Sequence, residues 1–167
     1  MNHFIIDAKL TLDQQEALVQ YARRHATEFH MHSVGVDYTN LDIMLLIDNP
    51  TASQVIEQFS IKPTHISLMR VAPNATIVPH VDGKDYQRLS VVVFPILPSG
   101  KKFAPTSFYK DANDSYSYSS ECYAFDTQQM HGVENNDHHR LSLQLWYDIP
   151  LTDLKNMKIT DQTRNKG

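Results

Sequence analysis

The chain of 167 residues holds a single cysteine, Cys122, so no intramolecular disulfide can form. Its start, MNHFIIDAKL, lacks the basic segment and long apolar stretch of a secretory signal, and together these absences point to a reducing, cytoplasmic setting. Glycine is scarce, with 5 in all and no Gly-rich loop to cradle phosphates, which argues against nucleotide chemistry. No Gly-x-Ser-x-Gly elbow is present, so a serine hydrolase is poorly supported. No apolar run approaches the roughly 20 residues that cross a bilayer. Lys and Arg number 15 against 19 Asp and Glu, a formal charge of -4 without a basic cluster, which disfavours a duplex nucleic-acid partner. What remains is a small-molecule or peptide partner, with neither nucleic acid nor membrane involved.

The length suits one domain with a proper core, and hydrophobic content of 41% is ordinary for a globular chain. Thr11 and Gln14 have the form of a capping box, and Leu18, Ala22, Ala26 and Phe29 follow at helical spacing, predicting an amphipathic helix over Leu12–Phe29. Thr51 and Gln54, just after Pro50, suggest a second, shorter helix with Val55, Ile56 and Phe59 on its apolar face. Val34–Tyr38 and Ile43–Ile47 read as strands. From Thr64 the texture changes to short runs of Val, Ile, Tyr, Phe and Ser, each closed by turn-forming residues such as Pro73-Asn74, Asp82-Gly83 and Asn135-Asn136-Asp137. That pattern predicts a mainly β protein: a jelly-roll core over 64–150, a helical and mixed front over 1–63 packed on one outer face, and a polar tail over 151–167.

Nine histidines are many for this length, and clusters of them raise the prospect of a metal. In the stretch VPHVDGKDYQRLSVVV, His80 and Asp82 are one residue apart, and the period of two along an extended strand turns both to one side. An imidazole and a carboxylate are two-thirds of the facial triad that binds Fe(II) in non-haem oxygenases; the third ligand is a histidine from a distant strand, for which His131 is the best candidate. Standing alone, a His-x-Asp pair is more often a surface hydrogen bond. Further on, HRLSLQLWYDI alternates strictly: Arg140, Ser142, Gln144, Trp146 and Asp148 on one face, leucines on the other. The polar face either meets solvent or lines a cavity, and an arginine fork with a serine two positions on matches the donors that hold a carboxylate bidentately.

The set His80-x-Asp82, His131 and Arg140-x-Ser142 in a β-rich chain resembles the Fe(II)- and 2-oxoglutarate-dependent oxygenase superfamily, over roughly Thr64–Ile149. Within it the chain looks most like the aspartyl/asparaginyl β-hydroxylases and the bacterial proline hydroxylases, through Pro79-His80 ahead of Arg88-Leu89-Ser90, the phrase FDTQQMHGVEN and the closing RLSLQLWYD. The animal aspartyl β-hydroxylases lack a carboxylate at the position of Asp82, so the full triad brings this chain nearer the proline hydroxylases. The resemblance implies a double-stranded β-helix, with His80, Asp82 and His131 as iron ligands. It implies Arg140 as the residue that binds the C5 carboxylate of 2-oxoglutarate, helped by Ser142, with Arg88 and Ser90 as outer contacts to the co-substrate. The implied activity is hydroxylation of a C–H bond in an amino acid, peptide or small molecule, consuming O2 and releasing succinate and carbon dioxide, with ascorbate as a supporting reductant. A cupin-like metal-binding barrel with a non-oxidative or ligand-sensing role is the alternative; only the oxygenase needs the carboxylate clamp.

The remaining candidates carry less. Cys122, placed in a strand YSYSSECYAF without a basic neighbour, reads as a buried structural thiol. His138 and His139 read as loop residues. Tyr116, Tyr118 and Trp146 are either packing or part of a substrate pocket, and Arg70 could face the same cavity as Arg88.

Overall fold

The computed structural model describes residues 2–31, 41–82, 88–97, 101–111 and 113–160. Helix α1 (Leu12–Arg24) opens on the capping box its sequence announces: Thr11 Oγ1 accepts from the Gln14 amide at 3.1 Å and Gln14 Oε1 accepts from the Thr11 amide at 3.0 Å. It stops five residues short of Phe29. At His25 the backbone leaves helical geometry, Ala26–Glu28 forms a 3-10 turn, and Phe29 continues in extended conformation with its ring beneath the Arg70 guanidinium, 4.1 Å away. Helix α2 (Pro50–Glu57) is capped by Asn49, whose side chain accepts from the Ala52 amide at 2.9 Å with Pro50 in the first turn; the start signal lies there and not at Thr51 and Gln54.

Eleven described strands make two antiparallel sheets. In chain order they are β1 (His3–Ile5), β2 (His30–Met31), β3 (Leu41–Leu45), β4 (His65–Val71), β5 (Thr76–His80), β6 (Ser90–Ile96), β7 (Thr106–Asp111), β8 (Asp114–Tyr118), β9 (Tyr123–Asp126), β10 (His131–Glu134) and β11 (Arg140–Tyr147). The larger sheet runs β1-β9-β6-β11-β4-β3-β2 and the smaller β5-β10-β7-β8, the two-sheet jelly roll expected from the strand pattern. The predicted strand Val34–Tyr38 lies outside the described residues.

Strand β11 sits at the centre of the larger sheet, between β6 and β4, and its period of two divides the molecule. Leu143, Leu145 and Tyr147 join Leu18, Val55, Phe59, Val92 and Phe94 in the core under the helices. Arg140, Ser142, Gln144 and Trp146 point the other way, into the space between the sheets, and all are buried. The polar face of β11 therefore lines an interior. Strand β6 is buried along both faces, with Val92, Phe94 and Ile96 toward the helices and Val91 and Val93 toward Phe108, Tyr123 and Trp146.

Past Pro150 the chain is not yet a tail. A single helical turn, α3 (Leu151–Leu154), buries Leu151 and Leu154, and the chain then returns to α2: the Lys158 amide donates to Ser60 Oγ at 2.8 Å and the Thr160 amide to the Gln58 carbonyl at 2.8 Å. The polar segment expected over 151–167 thus packs through Thr160, because two leucines three positions apart suffice to bury one turn. Cys122 lies just ahead of β9, not inside a strand, and is fully buried in the helix-side core. Burial pushes its thiol pKa well above the ordinary value, as befits a structural residue. Among the described residues no helix is long and apolar enough to cross a membrane.

Candidate functional site

His80, the last residue of β5, pairs directly with His131, the first of β10, so two histidines distant in sequence meet across an antiparallel ladder. Asp82 lies just past the end of β5, with Oδ1 3.4 Å from His80 Nε2 and 3.6 Å from His131 Nε2. The three ligand atoms lie within 4.8 Å of one another, and among the described residues no other His, Cys, Asp and Glu group is so gathered.

Each ring is oriented from behind. His80 Nδ1 donates to the Val78 carbonyl at 2.8 Å and His131 Nδ1 to the Gln129 carbonyl at 2.7 Å; because a carbonyl only accepts, both Nδ1 atoms carry the hydrogen and both Nε2 lone pairs face Asp82. The turn between β9 and β10 braces the backbone of Asp82. The Asp82 amide donates to the Thr127 carbonyl at 3.0 Å, the Asp82 carbonyl accepts from Gln128 Nε2 at 3.0 Å, and the Gln128 amide is held by Asp126 Oδ1 at 2.8 Å. The phrase FDTQQMH therefore both delivers His131 and backs Asp82. Two imidazole nitrogens and one carboxylate oxygen on one side, with the other side open to a cavity, fit a divalent transition metal such as Fe(II).

The two imidazoles have opposite proton affinities. Burial holds His131 below the ordinary histidine pKa of 6.5, outweighing the nearby Asp82 charge. Burial also acts to lower His80, but the hydrogen bond that Nε2 makes to Asp82 once it gains a proton, with the bond to the Val78 carbonyl and the Asp82 charge, carries it above 6.5. Metal binding must displace these protons. Apparent metal affinity is therefore expected to start falling while the pH is still above 6.5, as His80 gains its proton, and His131 adds to the loss only at lower pH. The raised His80 has the opposite sign in the metal-free protein: its stabilisation is fully present below 6.5 and is lost as pH rises through the higher folded value. Titration with Co(II) between about pH 8 and pH 5 checks this, and an affinity flat over that range would contradict it.

Gly132 sets the closeness of the two metal-facing strands. A Cβ built there meets the Ile77 carbonyl oxygen at 2.6 Å and the Pro79 nitrogen at 3.3 Å, both backbone atoms of β5 that cannot swing aside, and the β5–β10 register shifts at this point. Gly132→Ala is expected to cost about 1–3 kcal/mol as β10 is pushed off β5, lowering the melting temperature of the metal-free protein by several degrees and weakening metal binding. An unchanged melting curve and metal affinity would refute this.

Arg140 begins β11 and is only 4% exposed. Its Nε donates to the Ala104 carbonyl at 2.8 Å and its Nη2 to Thr106 Oγ1 at 3.1 Å and to the Tyr123 hydroxyl at 3.5 Å, while Phe103 covers the guanidinium at 4.1 Å. All these partners are neutral. Among the described residues no carboxylate pairs with Arg140, and a buried cation held only by neutral acceptors is poised for an anion. Burial lowers its pKa from the ordinary value, with the Tyr123 hydroxyl acting in the other direction. Thr106, Tyr123 and the Ala104 carbonyl are partners of Arg140 that nothing in their local sequence announces.

One cavity of about 120 Å³ between the sheets is lined by His80, Asp82, His131, Arg140, Arg88, Gln144 and Trp146, with Leu41, Met69, Ile77 and Phe125 among its apolar walls. Arg88 lies over the Trp146 ring, 4.6 Å from its centre. Ser142 is fully buried beside the cavity, its Oγ accepting from Gln144 Nε2 at 3.2 Å. Ser90 does not join them. The regular strand starts at Ser90, so Arg88 escapes its alternation, and Ser90 falls in phase with Val92 toward the helices, its hydroxyl donating to the Ile149 carbonyl at 2.8 Å. Arg70 is also elsewhere: it faces outward from β4, paired with Asp42 at 2.9 Å, and lines an outer groove together with His138 and His139. Tyr116 and Tyr118 pack with His3 and Phe108 and do not line the cavity.

With this geometry in hand, the solved structures supply the comparison. A prolyl-4-hydroxylase from Pseudomonas putida is 15% identical, covering 87% of this chain and 91% of its own, with a TM-score of 0.65. A prolyl hydroxylase from Trichoplax adhaerens, solved with a peptide fragment of a hypoxia-inducible factor, is 13% identical over 87% of this chain and 83% of its own, with a TM-score of 0.67. The viral collagen prolyl hydroxylase of Paramecium Bursaria Chlorella virus-1, solved with 2-oxoglutarate, is 9% identical over 87% and 95%, with a TM-score of 0.58. The chain has the jelly-roll fold of these oxygenases. No family model matches the chain, and no curated protein does. At such identities the shared oxygenase fold says where a site would lie; the side chains in that place are this chain's own.

Proposed function

We propose that this protein is an Fe(II)- and 2-oxoglutarate-dependent dioxygenase that hydroxylates a C–H bond of an amino acid, a peptide or a small molecule, in the cytoplasm. One observation carries the reading: a two-histidine, one-carboxylate cluster and a buried guanidinium without a carboxylate partner among the described residues line the same cavity. The cluster asks for a metal and the arginine for an anion, and 2-oxoglutarate supplies a carboxylate for the second beside the first.

His80, Asp82 and His131 would hold the iron, their orientation prepaid by the Val78 and Gln129 carbonyls and by the turn behind Asp82. Bound Fe(II) supplies activation of dioxygen coupled to oxidative decarboxylation of 2-oxoglutarate to succinate and carbon dioxide. Arg140 would clamp the far carboxylate of the co-substrate. Ser142, whose oxygen already accepts from Gln144, would keep its hydroxyl hydrogen for that carboxylate. Arg88 would act from the rim, over Trp146. Leu41, Met69, Ile77 and Phe125 keep water from the reacting groups. Ser90 has no part in it. The Trichoplax enzyme was solved with a peptide, which supports including peptides among the substrates to try.

The test combines the full chain with Fe(II), ascorbate and 2-oxoglutarate and follows succinate. Metal-dependent binding of 2-oxoglutarate, and succinate release stimulated by amino acids or peptides, are expected. A protein that binds metal but takes up no 2-oxoglutarate would instead be a metal-binding barrel of non-oxidative or sensing role, and the proposal would fall.

A further inference from the structure

Gln144 occupies the cavity wall between Ser142 and Trp146 on the inward face of β11 and is 5% exposed. Its amide nitrogen has two partners: Nε2 donates to Ser142 Oγ at 3.2 Å and to Met69 Sδ at 3.2 Å. A thioether sulfur only accepts, so contact with Met69 fixes which end of the amide is nitrogen and turns Oε1 away from it. That oxygen is buried and, among the described residues, has no hydrogen-bond partner. Buried amide oxygens are rarely left so, and an exception on a cavity wall needs an explanation.

The co-substrate cannot provide it. At neutral pH 2-oxoglutarate has two carboxylates and a ketone, acceptors throughout, and an acceptor cannot satisfy an acceptor. Arg140 does not supply it either: Nε and Nη2 donate to Ala104, Thr106 and Tyr123, and the rest of the guanidinium is what the dioxygenase reading gives to the co-substrate. Arg88, the other cation lining the cavity, lies over Trp146 and does not bond this oxygen, so the donor must arrive with another molecule. Across the ladders Gln144 pairs with Val93 of β6 and Ser67 of β4, whose Oγ accepts from Trp146 Nε1 at 3.0 Å, and the cavity beyond has apolar walls in Ile43, Met69 and Ile77.

We infer, on the basis of the dioxygenase reading above, that Gln144 is a specificity-determining residue whose Oε1 accepts a hydrogen bond from an N–H or O–H group of the substrate to be oxidised. The matching substrate is an amino acid or a short peptide-like amide that presents one donor from an otherwise apolar body. The selectivity comes from the bond gained: Oε1 is already buried and unpaired among the described residues, so a substrate with the donor forms a hydrogen bond to an oxygen fixed in place, and one without it leaves Oε1 unpaired as before.

The experiment uses the full chain loaded with Fe(II), as wild type and as Gln144→Met, which keeps length and removes the acceptor, with Gln144→Leu as a second apolar variant. The probes are the standard L-amino acids and their N-acetyl amides, each stimulating probe being paired with methylated forms in which one donor atom at a time carries no hydrogen. Succinate release gives KM, and anaerobic titration of 2-oxoglutarate, followed by the visible band of its iron complex, gives co-substrate affinity without turnover. In the wild type, methylation at the recognised donor is expected to raise KM roughly 10- to 100-fold, and in the variants by less than about threefold; 2-oxoglutarate affinity should fall only by about threefold and equally in the two variants, since both remove the Nε2–H that Ser142 Oγ accepts. The methyl group's bulk is common to both proteins, so only the lost hydrogen bond separates them. An equal methylation penalty in wild type and variants overturns the inference. So does a fall in 2-oxoglutarate affinity with no change in the probe pattern, which would place the oxygen in the co-substrate's service. If no probe stimulates a wild type that binds 2-oxoglutarate, the assigned substrate class is wrong. A wild type that binds no 2-oxoglutarate defeats the dioxygenase reading itself.

Discussion

His131→Ala is expected to abolish metal-dependent binding of 2-oxoglutarate and to reduce succinate formation by ~1,000-fold or more, since losing even an outer support of a metal ligand typically costs 10- to 100-fold. His131 is the ligand that joins two strands: it pairs with His80 across the ladder, and its ring lies 4.4 Å from the His80 ring and 4.9 Å from Phe125. Alanine keeps the strand, its backbone register and the Asp82 brace, so the metal-free variant should fold and melt within a few degrees of wild type. What disappears is the second nitrogen facing Asp82. His138→Ala and His139→Ala are the controls, because both residues lie in the loop before β11 and line the outer groove with Arg70. Each should change metal affinity by less than about twofold, as expected for a substitution that leaves both ligand shells intact. Equal loss from His138→Ala and His131→Ala would mean that the ligand set is misassigned.

The parts of this site that obey a local rule were legible in the sequence, and the parts made by distant pairing were not. Alternation along RLSLQLWY is a property of one strand, so the separation of Arg140, Ser142, Gln144 and Trp146 from the leucines could be read directly, and burial of that polar face between two sheets answers whether it meets solvent. His80 and Asp82 are close in the chain and converge for the same local reason. His131 is different. Its meeting with His80 depends on β5 and β10 being neighbours, a non-local fact that periodicity does not contain, and there the resemblance to known oxygenases carried the reading. Ser90 shows how a local rule fails. Parity counted from Arg88 puts both on one face, but Arg88 precedes the regular strand and its side chain turns onto Trp146, so the count starts from the wrong residue. Helix α1 ends early for a similar reason: Ala26 and Phe29 keep helical spacing while the backbone has already tightened at His25. Thr106 and Tyr123, the neutral acceptors that position Arg140, come from β7 and β9 and carry no mark in their own segments.

The guanidinium they position is the other residue whose loss should be decisive. Arg140→Met is expected to raise the 2-oxoglutarate concentration needed for half-maximal binding by ~100-fold or more, because truncating one partner of a buried charge pair costs about 2–5 kcal/mol. Metal affinity should stay within about threefold of wild type, since Arg140 makes no recorded contact with His80, Asp82 or His131. Stability gives a second, independent readout. In the metal-loaded wild type, 2-oxoglutarate at 100 times its Kd should stabilise the fold by about 2.7 kcal/mol, a shift that thermal melting detects and that the variant should lack at the same concentration. The ligand-free variant need not melt lower. Methionine removes a buried charge that no described carboxylate offsets, which favours folding, and leaves the Ala104 carbonyl and Thr106 without their donor, which opposes it; the two effects are of similar size. Arg140→Lys separates charge from shape: a lysine keeps the cation but not the planar fork, and should recover only part of the lost affinity. Full recovery by lysine would show that charge alone is read. If Arg140→Met collapsed metal binding instead, the arginine would belong to the metal site and its assignment to the carboxylate would be wrong.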